Sequence, residues 1–398
     1  MSLLAQQTRA RLDRWLRPAG VTIDGGEPWD PQVKDPRTYR RVLLEGTLGA
    51  GEAYMDGWWE CEALDEFAAR LLSGRTRVRW GLDWPNRVLS VTARLVNQQS
   101  RSRAYRVGEA HYDMGNDLYR AMLGPSMAYS CADWRDADSL DEAQEAKFDL
   151  VCRSLDLRPG QRLLDIGCGW GSLARHAAQR YGVEVVGLTI SREQARFALD
   201  LCAGLPVEIR LQDYRSLDES FDAVVSIGMF EHVGARNYAT YFESVHRCLA
   251  DEGSFVLQTI GGLRSTRSTD PWVARYIFPN SMLPSARQIA AAAEGRVALE
   301  EWHNLASYYD RTLMAWWRNF EAAWPRLRSR YDERFYRMWR YYLLTCAGSF
   351  RVRYNQLWRV VFCKLGARSV ARRTSTEPLS VAESAWRERI AAAGAAAR

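Results

Sequence analysis

The chain has 398 residues, 47% of them hydrophobic and 26% charged, and a formal net charge of +6, enough for two or three domains around a large core. No run of about eighteen apolar residues exists, so no transmembrane helix is expected. Eight cysteines fall in no CxxC or Cys/His spacing, which points to free thiols in a reducing compartment and indicates neither a disulfide framework nor a zinc site. The positive charge is almost all arginine, with lysine only at 34, 147 and 364. Genomic base composition explains that bias, and so does a preference for guanidinium forks that grip phosphate.

The opening residues, MSLLAQQTRARLDRWLRPAG, are amphipathic and lack a signal-peptide core with a cleavage site, so a cytoplasmic protein is expected. Residues 1–70 read as a small helical N-terminal domain, with helical apolar spacing at Asp35–Leu48 and Leu64–Leu72. Between these lies GTLGAGEAYMDGWWE, where Gly46, Gly49, Gly51 and Gly57 break the periodicity. Tyr54, Met55, Trp58 and Trp59 cluster there, either as the core of the small domain or as an aromatic surface for lipid or a partner. Residues 71–106 form a basic linker in which Arg75, Arg77, Arg79, Arg87, Arg94, Arg101, Arg103 and Arg106 face only Asp83. Trp80, Trp84, Leu89, Val91, Leu95 and Val96 interleave with them. Such a segment suits an anionic membrane surface or a solvated helical linker. No nucleic-acid recognition motif is visible, and nucleic acid is not an expected partner.

HYDMGNDLY (111–119) is polar, contains a GN turn and reads as a lid or entry segment. YSCADW follows, then a helix at Leu140–Leu155. From there strand and helix alternate: strands at Arg162–Gly167, Val183–Ile190, Val207–Asp213, Phe221–Gly228 and Ser254–Ile260, with helices at Ser172–Tyr181, Arg192–Cys202 and Tyr238–Leu249. This pattern predicts a doubly wound, Rossmann-like parallel α/β sheet with its ligand at the strands' C-terminal ends. The stretch from Gly262 to Glu294 reads as an irregular insertion that shapes a substrate pocket. Val297–His303 and Arg359–Lys364 are candidate sixth and seventh strands. Between them, Tyr309–Phe350 is a helical, aromatic insertion that reads as helix–helix core or as a greasy tunnel for a chain-like substrate. The catalytic domain is expected to span 107–385, and 386–398, ending in AAAGAAAR, to be a flexible tail.

The focus of the sheet is LLDIGCGWG (163–171). A buried strand runs into an acid, and Gly167, Gly169 and Gly171 then bring backbone N–H groups close to a ligand, because glycine has no Cβ to block the approach. A purely structural turn and a dinucleotide site are the competing readings. Against the latter, Thr189, Ile190 and Ser191 stand where a ribose-binding carboxylate would close the second strand.

DIGCGWG resembles the S-adenosylmethionine (AdoMet) loop of class I methyltransferases. HYDMGNDLY, YSCADW, LDIGCGWG, GLTIS, MFEHVG, DPWVARYIFPN, TLMAWW and CAGSFR together resemble cyclopropane-fatty-acyl-phospholipid synthase over nearly the whole chain. The resemblance implies transfer of a methylene group from AdoMet to the cis double bond of an unsaturated phospholipid acyl chain, closing a three-membered ring. It also implies a bicarbonate ion as base, a homodimer, and work at the inner face of the membrane as a peripheral protein. An alkene is a weak nucleophile, so rate must come from alignment and from exclusion of water.

Carried onto this chain, the resemblance places Tyr129, Ser130, Asp165, Gly167, Gly169 and Gly171 around the methionine part of AdoMet. Thr189 and Gln194 fall to the ribose, and Asp213 and Tyr214 to the adenine. Cys131, Glu231, Tyr309 and the backbone of Ile260 fall where bicarbonate is held, with Glu231 as the proton acceptor that orients the ion. His232 reads as a hydrogen-bonded neighbour. Gln258 replaces the histidine usual before Thr-Ile-Gly; glutamine donates a hydrogen bond but cannot titrate. If the histidine moves protons, the product would be a methyl-branched or methylene chain. Cys346, in TCAGSFR, matches a cysteine proposed as a nucleophile, but alkene methylation needs no thiol, and packing is the favoured role. No metal is expected.

Overall fold

The computed structural model describes residues 3–73, 115–266 and 268–367. Most of the basic linker, the first half of HYDMGNDLY and the expected tail lie outside them. The described residues fall into two compact units, one made of 3–73, 262–283 and 306–356, the other of 115–261, 284–305 and 357–367.

The second unit is organised by β3 (Arg162–Ile166), buried after its first residue. A strand covered on both faces reads as a continuous apolar run, as RLLDI does. It pairs in parallel with β4 (Glu184–Thr189) on one side and β6 (Phe221–Ile227) on the other, with Leu164 opposite Val186 and Val224. β5 (Val207–Leu211) extends the sheet beyond β4, and β7 (Leu249–Gly262) continues it beyond β6. β8 (Val297–Asn304) and β9 (Asn355–Lys364) are antiparallel to each other and complete the order β5-β4-β3-β6-β7-β9-β8. The order reverses between β3 and β6, and in open α/β sheets ligands bind beyond the strand ends at such a point. Leu163, Leu173, Ala177, Val185 and Val225 form the core beneath it, with Phe148.

Helices cross between the strands. α6 (Leu140–Ser154) opens on a capping box in which Ser139 Oγ accepts from Glu142 N–H and the Glu142 carboxylate accepts from Ser139 N–H, satisfying donors that the first turn leaves orphaned. α7 (Ser172–Tyr181) runs between Gly171 and Gly182, both at positive φ. α8 (Arg192–Leu201) is capped by Ser191, and α9 (Tyr238–Cys248) precedes β7. The irregular stretch expected after Gly262 instead holds two short helices. α10 (Pro271–Tyr276), in the first unit, starts on an Asp270 cap with proline in its first turn. α11 (Ala286–Ala293), in the second, starts on a Ser285/Gln288 capping box. Both are too short for an apolar period to show, and their caps are the only local signal. The polar segment expected as a lid yields α5 (Asn116–Leu123), with Leu118, Tyr119, Met122 and Leu123 buried.

The first unit is helical. α4 (Leu64–Leu72) has the expected bounds, α2 (Arg37–Glu45) is shorter than the expected Asp35–Leu48 because it ends at Gly46, and the amphipathic opening forms α1 (Leu3–Leu16); β1 (Gln32–Val33) pairs with β2 (Trp59–Glu60). The glycine-rich stretch is broken only at Gly46 and Gly57, both at positive φ, while α3 (Thr47–Met55) runs through Gly49 and Gly51. Glycine lowers helix propensity, but here it is required by packing. A Cβ on Gly49 would lie 2.5 Å from Arg41 O, and one on Gly51 would lie 2.3 Å from the Trp272 ring. Tyr54, Met55 and Trp59 are buried core, while the Arg37 and Arg41 guanidiniums lie over Trp58. The aromatic insertion forms α12 (Ala306–Leu327) and α13 (Glu333–Arg351), whose Trp316, Phe320 and Trp339 are fully buried. Gly348 lets α13 meet α4 at backbone contact, since a Cβ there would lie 2.1 Å from Asp65 O. Arg337 donates to Tyr54 O, the Glu60 carboxylate and Trp59 O at 2.6, 2.6 and 3.0 Å. Arg340 donates to the Tyr54 hydroxyl and to the carbonyls of Cys61 and Glu62.

Candidate functional site

The turn after β3 leaves the sheet through Gly167, Gly169 and Gly171, at φ of +88°, +57° and +86°. L-residues rarely adopt that region. Gly167 N–H and Cys168 N–H both donate to Leu188 O, at 3.0 and 2.9 Å, tying the turn to β4. The three glycines serve different ends. A Cβ on Gly167 would lie 2.8 Å from Met229, and one on Gly171 2.9 Å from Ala198, whereas Gly169 has nothing within 4 Å and presents bare backbone. Trp170 turns away: its indole N–H donates to Asn116 at 3.1 Å, and its ring packs 4.9 Å from Tyr119.

Asp165, on β3, is 3% exposed. Burial pushes its carboxyl up to about 7, against the pull of the Lys147 charge. Lys147, on α6, is equally buried, and burial brings its ammonium down to about 7. It donates to Ser130 Oγ at 3.0 Å, and Gln144 Nε2 donates to Ser130 O at 3.0 Å. Tyr129 packs edge-on against Tyr119, and the buried Cys131 thiol donates to Ala132 O.

At the end of β4 the Thr189 hydroxyl donates to Gln194 Oε1 at 2.9 Å and accepts from Ser191 N–H. Both Thr189 and Gln194 are buried. Past β5, Asp213 accepts from the backbone N–H and the guanidinium of Arg215, and Tyr214 packs against Tyr241 at 5.3 Å. The Asp213 carboxylate is thus partly engaged by its own turn.

Past β6, Glu231 is 5% exposed. Its Oε1 accepts from Ile260 N–H, at the end of β7, at 2.6 Å; its Oε2 is buried without a partner. Burial pushes this carboxyl up to about 7, against the hydrogen bond from Ile260. Burial also holds neighbouring His232 down at about 4, so its ring is neutral near pH 7. Gln258 is 2% exposed on β7, and Gly228 N–H donates to its carbonyl at 2.9 Å. Of the Ile260 backbone, the N–H is thus engaged by Glu231.

The ends of β3, β4, β5, β6 and β7 thus gather Asp165, the glycine turn, Thr189, Gln194, Asp213, Tyr214, Glu231, Gln258 and Ile260 in the second unit. Tyr129, Ser130 and Cys131 belong to that unit too. Tyr309 and Cys346 belong to the first. Tyr309 packs 4.5 Å from the Phe350 ring. Burial pushes the Cys346 thiol up to about 12, the reverse of what activates a nucleophile. Sequence reasoning passed over Lys147, although its one signal was on view: it is one of three lysines in an arginine-rich chain. Among the described residues no cluster of His, Cys, Asp and Glu could hold a metal, and no helix is long and apolar enough to cross a membrane.

Residues 99–360 match the protein family described as mycolic acid cyclopropane synthetase. The chain is 52% identical over 359 residues to the cyclopropane-fatty-acyl-phospholipid synthase of Escherichia coli K12, covering 88% of this chain and 94% of that one. It is 32% identical over 370 residues to the tuberculostearic acid methyltransferase of Mycobacterium tuberculosis, covering 87% and 86%. Among solved structures, mycolic acid cyclopropane synthase CmaA1 complexed with SAH and CTAB superposes with a TM-score of 0.61 at 34% identity, covering 65% of this chain and 98% of that one.

Proposed function

Because the chain belongs to the mycolic acid cyclopropane synthetase family, we propose that it transfers a methylene group from AdoMet to the cis double bond of unsaturated phospholipid acyl chains, forming a cyclopropane ring. The 52% identity to the Escherichia coli synthase supports the substrate class, and the SAH in the similar CmaA1 crystal supports the cofactor. The chain's own residues fit that cofactor. Gly169 leaves a stretch of backbone that a Cβ would fill, Thr189 at the end of β4 and Gln194 just beyond it offer polar groups, and Ser130 adds a hydroxyl from the turn held by Gln144 and Lys147. When bound, AdoMet supplies an electrophilic methyl on a cationic sulfur.

The observation that carries the reading is Glu231. A carboxyl at about 7 can hold or yield a proton at Oε2 near neutral pH. Its other oxygen is locked by Ile260 N–H, which fixes the direction in which Oε2 faces. A permanently charged carboxylate would repel bicarbonate, whereas a protonated Oε2 can donate to it; Cys131 would add a thiol donor by turning its S–H away from Ala132 O. We therefore assign bicarbonate to Glu231 and Cys131, with Gln258 as a further amide donor. There the ion would supply a small base. Tyr309 is carried by the resemblance alone. Peripheral contact with the inner membrane face, a cytoplasmic location and a homodimer belong to the same proposal, supported by the basic 71–106 stretch and by the family.

Gln258 favours one alternative, a methyl-branched or methylene product from an enzyme unable to complete ring closure. Incubating purified protein with labelled AdoMet and unsaturated phospholipid vesicles, with and without bicarbonate, separates the two. NMR of the recovered chains should show the high-field cyclopropane protons. Vinylidene signals, which come with the same mass as the ring, or a branched methyl would replace the first reading with the second.

A further inference from the structure

Only three of the chain's 54 lysine and arginine side chains are lysine. Lys34 reaches solvent, its side chain 61% exposed, and Lys364 pairs with the exposed Asp251. Lys147 is different: it is 3% exposed and makes no ion pair among the described residues. An ammonium has three donors. Ser130 Oγ is the one hydrogen-bond acceptor it meets among the described residues, and the Phe148 ring centroid lies 4.0 Å from its nitrogen. Such burial is costly unless something completes the shell of the charge. The titratable groups facing it are Cys131 from the same turn as Ser130, Asp165 from β3, and Glu145 and Cys152 from α6 itself. Glu145 is already engaged by His176 at 2.9 Å.

The contact has a direction. A serine hydroxyl has two acceptor sites and one proton. With Oγ accepting from the Lys147 ammonium, its own O–H is left to donate outward, polarised by the charge behind it. Gln144, one turn earlier on α6, holds the carbonyls of Ala128 and Ser130, so the same helix face fixes both the backbone and the hydroxyl of this turn.

We infer that Lys147 is a positioning residue for the carboxylate at the amino-acid end of the cofactor, aiming the Ser130 hydroxyl at that carboxylate and lending the turn its positive charge. The inference rests on the proposed reading that Tyr129, Ser130 and the glycine turn receive the methionine part of AdoMet. An arginine at 147 would not serve, because a planar guanidinium is too large to present a point charge to one hydroxyl in a closed space.

Calorimetric binding of two ligands tests it. S-adenosylhomocysteine carries the amino-acid end; methylthioadenosine shares the nucleoside and thioether but lacks that end. Lys147→Met should weaken S-adenosylhomocysteine about tenfold or more, the scale of one lost charge-assisted hydrogen bond, and leave methylthioadenosine within about twofold. Ser130→Ala should show the same selectivity, and the double variant should lose little beyond either single one. Equal loss for both ligands, or no loss, would overturn the inference. If Lys147→Met does not fold, Ser130→Ala alone decides: selective loss supports the inference and its absence overturns it. A parent protein that binds neither ligand takes down the methyl-donor reading as well, whereas a parent that binds both while Lys147→Met matches it takes down this inference only.

Discussion

Glu231→Gln isolates the cost of burying one carboxyl. Burial lifts this group from 4.5 to about 7, so the folded protein holds its proton more tightly than the unfolded chain does. The stability linked to it is full below about 4.5 and is lost as pH rises through about 7. At 1.36 kcal/mol per pH unit the interval is worth about 3 kcal/mol by pH 8, of which about 2 kcal/mol falls between pH 5 and pH 8. Glutamine abolishes the titration while keeping an oxygen for Ile260 N–H. It places an NH2 where Oε2 has no partner, a cost of about 1–3 kcal/mol that does not change with pH. The difference between variant and parent should therefore move in the variant's favour by about 2 kcal/mol from pH 5 to pH 8, whatever its sign at pH 5. Urea unfolding followed by tryptophan fluorescence at pH 5, 6.5 and 8 measures it, and a difference that stays flat with pH would refute the buried-carboxyl argument. The same variant should lose turnover by about 100-fold or more, the usual contribution of a positioned acid–base group. Its AdoMet affinity should hardly change, and a large loss there would move Glu231 to the cofactor.

Gln258→His, at a site 2% exposed on β7, should retain or raise ring formation in the vesicle assay; collapse of activity would show that the glutamine serves a different chemistry. Cys346→Ala should keep turnover within a few-fold, because a thiol at about 12 supplies almost no thiolate at neutral pH; complete loss with normal folding would reinstate it as a reacting group. Gly348→Ala drives a methyl to 2.1 Å from Asp65 O and 2.8 Å from Ala69 N, and overpacking of this kind costs about 1–3 kcal/mol. Its thermal midpoint should fall by several degrees, whereas Gly26→Ala, with nothing within 4 Å of the new carbon, should leave it unchanged.

The central strands of the sheet were visible in the sequence because parallel strands buried on both faces read as short apolar runs; Arg162–Ile166 and Phe221–Ile227 end within one residue of expectation, whereas β7 and β9 begin five and four residues before it. The helix at Ser172–Tyr181 was bounded correctly because glycines flank it. What escaped was set by contacts distant in sequence. α3 runs through glycines that look like breaks but are sites of close approach to Arg41 and Trp272. The engagement of Asp213 by Arg215 depends on the turn that brings them together. Lys147 draws its character from burial, of which its rarity in an arginine-rich chain is the one sign in the sequence. The two roles of Glu231, one oxygen pinned and one bare, arise because β6 and β7 end side by side.

The backbone contact at Gly348 bears on how such a chain can be shortened. Arg337, Arg340 and Gly348 lie on one helix near the C-terminal end of the described chain, yet their partners, Tyr54 through Asp65, come from its first seventy residues. Removing that leading portion would strand two guanidiniums and bare the flank that glycine keeps low. A viable truncation has to rewrite those three positions in the same step, so the leading segment and α13 can be expected to change together or not at all.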